Sequence, residues 1–163
     1  MSTSVHVQPL DLQQPGQAAA FISLLDHYAS DPMGGGDGLG AYARQHLVDA
    51  LAAQPGFIGG LAMVDGRAVG LINCFQGFST FAARPLLNIH DIVVHRDWRR
   101  RGVGQALLAF AEEQARARGC CKLTLEVLSG NDVAMRSYER AGYAPYVLDP
   151  AAGQALFLQK KLD

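Results

Sequence analysis

The strongest constraint on the fold lies between Leu86 and Leu128. "LLNIHDIVV" is rich in branched apolar residues and reads as a central strand. "HRDWRRRGVG" then turns the chain into "QALLAFAEEQARARG". Gly102 to Arg118 carries Val103, Leu107, Leu108, Phe110 and Ala111 at the spacing of an inner helix face. Gly119 suits the residue just past the helix end, and "CCKLTLEVL" follows as another buried strand. A strand, a glycine turn, a helix and a strand demand an α/β organisation. The turn is also chemically unusual, because Arg96, Arg99, Arg100 and Arg101 fall within six positions. It reads three ways: a nucleic-acid patch, a dinucleotide fingerprint, or a cradle for another phosphate.

Charge bears on the first reading. Lys plus Arg (14) nearly balance Asp plus Glu (15), so no global basic field exists to hold DNA or RNA. The arginine cluster is local, and a single Trp98 is no repeated interleaving of aromatic with basic residues. At 163 residues, with 49% hydrophobic and 18% charged residues, the chain is expected to be one domain, residues 1–163, with a core of its own. The N-terminus lacks the charged and apolar regions of a signal peptide, and no apolar run is long enough for a membrane helix. The three cysteines, Cys74, Cys120 and Cys121, lack zinc or disulfide spacing, so no metal is expected. Reduced thiols point to the cytoplasm.

The remaining elements follow from periodicity. "SVHVQPL" alternates as a short strand ended by Pro9. Gln17–Ala29 and Leu39–Ala53 read as helices, separated by the glycine-rich "SDPMGGGDG". "FIGGLAMV" and "RAVGLINCF" form a hairpin about Asp65-Gly66. "QGFSTFAARP" is a loop or an irregular strand. Asn131 is the expected N-cap of a short helix that stops at Gly142, and "ALFLQKKL" reads as a final strand. The order β, α, α, β, β, β, α, β, α, ending in β or β-β, is a mixed α/β fold with a central meander and no internal repeat.

A diphosphate needs several backbone N–H groups converging on one point with no side chain in the way. A glycine turn into a helix supplies them, because the first helical N–H groups are unpaired and the macrodipole adds about half a positive charge. GxxxxGK[ST] is absent, and Leu107 stands where a Rossmann fingerprint needs its third glycine. What remains is Arg99-x-x-Gly102-x-Gly104. In "DIVVHRDWRRRGVGQALL" it resembles the acetyl-CoA-binding motif of the GNAT superfamily of N-acetyltransferases. "GNDVAMRSYERAGY" resembles that superfamily's later motif through Asn131, Ala134, Tyr138, Gly142 and Tyr143. The resemblance covers about Phe57 to Tyr146. It implies a twisted mixed sheet of six to seven strands, flanked by about four helices, with the fourth and fifth strands splayed around acetyl-CoA. By the same carry-over, backbone groups of Ile92, Val93 and Val94 bind the pantetheine arm. The N–H groups of Arg99, Arg100, Arg101, Gly102, Val103, Gly104, Gln105 and Ala106 hold the pyrophosphate. Asn131, Ala134 and Tyr138 complete the cofactor site. Arg96 departs from the pattern, since many members carry proline there.

Acetyl transfer to an amine makes three demands. An alkylammonium with a pKa near 10.4 must lose its proton. The developing oxyanion needs donors, each typically worth roughly 2.7–4 kcal/mol. The leaving thiolate needs a proton or a hydrogen bond. The resemblance gives the last task to Tyr138, whose spacing alone is equally that of a core tyrosine, and the carbonyl to the N–H of Val94. The base is open. The segment most resembles the spermidine/spermine branch, which carries a glutamate where this chain has His90, followed by an aspartate matching Asp91. Strict alternation puts His90, Ile92 and Val94 on one face and Asp91 on the other, where Asp91 anchors structure. His90 can serve as base directly, or through water, or be an ordinary strand histidine. Glu126 is a further candidate.

In GNAT proteins the region between the first two helices shapes the acceptor pocket. Here it offers Tyr28, Asp31 and Asp37 to a cationic amine, on a backbone that is either a close-packed glycine loop or a plain connector. "YVLDPAAGQAL" forms the other wall. The expectation is an acetyl-CoA-dependent N-acetyltransferase acting on a small primary amine, polyamine or amino-acid-like. The resemblance also implies a homodimer through the C-terminal strands. The alternative is a GNAT-like CoA sensor without turnover, motivated by His90 in place of glutamate.

Overall fold

The computed structural model describes residues 4–162. Its centre is a mixed sheet in the order β1-β2-β3-β4-β5. β1 (His6–Pro9) pairs antiparallel with β2 (Phe57–Val64). β2 joins β3 (Arg67–Ser79) through Asp65 and Gly66, whose φ values of 47° and 76° are those of a two-residue hairpin turn. β4 (Arg84–Val94) returns antiparallel to β3, and β5 (Leu123–Leu125) runs parallel to β4.

Two helical layers cover the sheet. α3 (Val103–Ala117) turns Val103, Leu107, Leu108, Phe110, Ala111 and Ala115 onto one face, against Ile58, Ile72, Leu87 and Ile89. α1 (Pro15–Ala29) and α2 (Ala41–Ala52) put Phe21, Leu24 and Leu51 onto the other face, against Leu61, Leu71 and Val93. Burying each such Leu, Ile or Phe contributes roughly 1.5–3 kcal/mol. α4 (Asp132–Arg140) is capped as its sequence demands, with Asn131 Oδ1 accepting the Ala134 N–H at 3.2 Å.

Two expectations change. The sheet has five strands among the described residues, not six or seven. "ALFLQKKL" forms no strand, and every residue from 144 to 162 is exposed. Alternation describes a strand's faces but supplies no partner for its edges. The expected splay is present: β4 and β5 pair only from Leu87–Leu123 to Ile89–Leu125, and β4 then continues without β5 for five residues, His90 to Val94, still paired with β3.

Candidate active site

The parting of β4 from β5 leaves a backbone edge open. His95 donates its N–H to Val69 C=O at 2.9 Å on the β3 side. Alternation then turns the backbone groups of Val94 and Ile92 to the open side and those of Val93 toward β3. There Val94 C=O accepts a weak bond from Arg99 Nε at 3.5 Å.

Beyond that edge the chain bends into α3. Arg96–Trp98 form a single 3-10 turn, Arg100 takes a φ of 60°, and Gly102 caps α3 with φ 80°. Position 102 therefore favours glycine. The first helical bond runs from Ala106 N–H to Gly102 C=O at 3.0 Å. Between Arg100 and Gln105, the backbone N–H groups donate to nothing among the described residues. This is the converging set a diphosphate needs, at the positive end of a helix dipole. Arg101 lies over the Trp98 ring at 5.0 Å, a cation–π contact that keeps the guanidinium beside the turn. Gln105 Nε2 donates to Ser137 C=O at 3.0 Å and Ser137 Oγ at 2.9 Å, fixing α4 against this helix start.

Between the strands and α4 lies a cavity of about 120 Å³. β4 contributes Ile89 to Ile92, α4 contributes Ala134 and Tyr138, and Asn131 lines it from the cap. Tyr28 of α1, Leu125 and Glu126 complete the wall. Burial pushes the Tyr138 phenol up to about 12, and Tyr28 adds to the shift, so Tyr138 keeps its proton at neutral pH. The Tyr28 phenol is also raised, by burial first and then by the Asp91 and Asp31 carboxylates.

A bulge in β4 rearranges the face. Asn73 pairs with Asp91 but Cys74 pairs with Ile89, so His90 is the extra residue. The apolar side chains turned to α3 are Leu87 and Ile89 before it, and Ile92 and Val94 after it. Asp91 therefore does not anchor the opposite face out of reach. It lines the cavity with His90. Asp91 Oδ2 accepts from Asn73 Nδ2 at 3.1 Å, and Asn73 is only 2% exposed. His90 stays exposed at the rim, edge-on to Phe75 with ring centroids 5.4 Å apart.

The glycine loop is packed rather than a plain connector. A Cβ on Gly34 would stand 2.0 Å from the Tyr28 carbonyl oxygen, so the loop rests on the backbone of a cavity residue. Gly36 and Gly38 donate to Ala29 C=O, and Asp26 Oδ1 accepts from Leu39 N–H and from Arg44. Asp31 caps the short turn Pro32–Gly34 and bonds Arg99 Nη2 at 3.1 Å. The Met33 N–H, then Arg99, hold the Asp31 carboxyl below its ordinary range. His27 Nε2 accepts the Arg96 N–H at 3.2 Å and stacks on His95, with centroids 4.4 Å apart. Its pKa is lowered, by burial first and then by His95 and Arg96. The glycine loop and the end of α1 are thus fastened to the arginine turn.

A sequence model of the acetyltransferase (GNAT) family matches residues 20–143. The chain belongs to this family. Its members use acetyl-CoA as donor, and the open edge and free N–H groups fit that molecule's peptide-like arm and diphosphate. An uncharacterized N-acetyltransferase of Methanocaldococcus jannaschii is 37% identical over 81 residues, which span 49% of this chain and 36% of that protein. An aminoglycoside acetyltransferase from an uncultured soil metagenomic sample superposes with a TM-score of 0.77 at 18% identity, covering 98% of this chain and 97% of that one. AAC(6')-Iy, solved with a bisubstrate analog, gives 0.76 at 15% identity, covering 98% and 99%. These structural likenesses show the GNAT fold.

Within that fold, Tyr28, His90, Ile92, Glu126, Asn131, Ala134 and Tyr138 line one cavity. Three expected backbone donors do not fit their roles. Ala106 N–H is spent on Gly102, Arg99 N–H on Arg96 at 3.4 Å, and Val93 faces β3. Asp31 meets Arg99 instead of lining the cavity, and Asp37 is exposed in the loop. Asp91, Asn73 and Ser137 are the residues that sequence reasoning missed. The polar pair His90-Asp91 inside an apolar strand was the available signal for the bulge.

Proposed function

We propose that this chain is a single-domain cytoplasmic N-acetyltransferase that moves the acetyl group of acetyl-CoA directly to a small primary amine. The observation that carries the reading is the open edge of Ile92 and Val94, set between the free N–H groups of the arginine turn and the half-buried Tyr138 phenol. In this reading those N–H groups, from Arg100 to Gln105, hold the pyrophosphate. Ile92 and Val94 bind the pantetheine amides as a strand would, and the Val94 N–H polarises the thioester carbonyl. Asp91, held by Asn73, takes the amine proton directly or through one water, with His90 at the rim as the second acceptor. The amine nitrogen bonds to the carbonyl carbon, the C–S bond breaks, and Tyr138 donates its proton to the leaving thiolate.

Tyr28, Asp91 and Glu126 make a mouth for a cation, so polyamine and amino-acid-like amines are the first candidates. Two fold neighbours are aminoglycoside enzymes, and those polycations join the panel. Its three free cysteines suit a reducing compartment, and a homodimer belongs to the same reading. The test is an amine panel with acetyl-CoA, reading free CoA and repeated with Tyr138→Phe and His90→Ala. Acetyl-CoA binding without amine-dependent thiol release would return the chain to the sensor class.

A further inference from the structure

We infer that Gln105 is a positioning residue for the thiolate acid: by holding Ser137, its side chain fixes where Tyr138 stands beside the open edge of β4. This role rests on the one proposed above for Tyr138 and names the residue through which it is kept.

Little else holds α4 in place. It has nine residues, and an isolated helix shorter than about 12–15 residues is marginal in water. Packing must therefore stabilise it, yet none of its residues is fully buried. Only Ala134, Met135, Ser137 and Tyr138 are half-buried. Tyr138 also lies in the last turn, where a helix runs out of bonding partners. The N–H groups of Ala141 and Tyr143 both end on its C=O at 3.0 Å as the chain leaves the helix. Its ring meets Tyr143 edge-on, with centroids 6.1 Å apart.

Gln105 supplies the missing hold. The Asn131 cap secures the far end of α4, and Gln105 Nε2 grips the turn that carries the phenol, through Ser137 C=O and Ser137 Oγ. Among the described residues, no other side chain outside α4 and its cap bonds to this helix. The Ser137 carbonyl is available because its helical partner, Ala141 N–H, stands 3.3 Å away and lies closer to Tyr138 C=O. Gripping both the carbonyl and the hydroxyl of one residue fixes the height and the rotation of that turn. Tyr138 is the next residue.

The grip has a rigid base. Gln105 lies in the first turn of α3 between Val103 and Leu107, which are at most 1% exposed. Its own N–H is among the free groups of the arginine turn. One residue thus turns its backbone to the proposed diphosphate site and its side chain to the helix of the acid. A misplacement of about 1 Å at a reacting group can cost 100-fold in rate, so the acid needs such a tie.

The test is a double-mutant cycle on the full chain, with acetyl-CoA and an amine from the panel, and a thermal melt of each variant. Gln105→Met keeps the side chain's length and removes both donated bonds. It should lower kcat about tenfold or more and leave the KM for acetyl-CoA within about threefold, because the N–H at 105 remains. Ser137→Ala removes one of the two acceptors and should lower kcat by less. In a Tyr138→Phe background, Gln105→Met should change kcat less than about twofold, because the group it positions is gone. A merely structural contact would lower kcat by the same factor in both backgrounds. That additive result overturns the positioning role, and so does an unchanged kcat in Gln105→Met. If Gln105→Met does not fold, Ser137→Ala carries the cycle under the same criterion. A wild type without amine-dependent CoA release, or a Tyr138→Phe enzyme with wild-type kcat, overturns the proposed chemistry and this role with it. Turnover that depends on Tyr138, with an additive cycle, overturns this role alone.

Discussion

Gly104→Val separates a backbone cradle from an arginine patch. A Cβ at position 104 would lie 3.8 Å from Val94 Cγ2 and 4.0 Å from Ser137 Oγ, both ordinary contacts. The folded chain therefore has room for the side chain. Replacing a helical glycine also gains a few tenths of a kcal/mol in propensity, so the melting temperature should hold or rise slightly. On the cradle reading, the new methyl groups crowd the close approach of the diphosphate to the free N–H groups of this turn. A hydrogen bond to a charged group is worth about 1.5–3 kcal/mol, so losing one weakens acetyl-CoA binding about 10- to 150-fold. Arg100→Ala removes one exposed cation. Such a contact contributes about 0–1 kcal/mol, or at most about fivefold. Isothermal titration with acetyl-CoA at physiological salt, beside a thermal melt of each variant, reads both quantities. Stronger damage from Arg100→Ala than from Gly104→Val, with both folded, would refute the cradle.

The other predictions concern the acceptor side. Tyr138→Phe should lower kcat about 100-fold or more and leave the KM for acetyl-CoA unchanged; a phenylalanine enzyme with wild-type kcat would remove Tyr138 from the chemistry. Folding raises the phenol's pKa from 10.0 to about 12, so its acid form persists above pH 10. The wild-type pH profile should therefore show no alkaline loss from Tyr138 between pH 8 and 10. Asp91→Asn should reduce kcat/KM for the amine at least tenfold more than His90→Ala, and the reverse order would hand the proton to His90. Gly34→Ala forces the loop off Tyr28, an overpacking cost of about 1–3 kcal/mol. That lowers the melting temperature by a few degrees and raises the amine KM, with the acetyl-CoA KM unchanged; an unmoved amine KM would detach the loop from the pocket.

Much of this was legible in the sequence because its signals are local. The turn from β4 to α3 depends on glycine at one left-handed position and on apolar spacing in one helix. Both are written in consecutive residues. The Asp65-Gly66 hairpin and the Asn131 cap are local in the same way. His90 and Asp91 were misread because a bulge is a property of two strands. Only the pairing of Asn73 with Asp91 and of Cys74 with Ile89 reveals that alternation breaks there. The tail was misread for a related reason, since an apolar run can suggest a strand but supplies no partner, and residues 155–162 form no strand.

The division between donor and acceptor halves has a physical cause. The donor half uses main-chain N–H and C=O groups, which every residue type carries. Many sequences can build it provided glycine keeps the few positions that demand it. That is how the same fold recurs at 15–18% identity. The acceptor half is made of side chains from α1, β4, β5 and α4, and nothing in the donor half dictates them. On the proposed function, a shared fold can keep such a backbone cradle and still leave the amine undetermined. On the proposed function, that choice falls in this chain to Tyr28, Asp91 and Glu126, and to the loop that Gly34 holds against Tyr28.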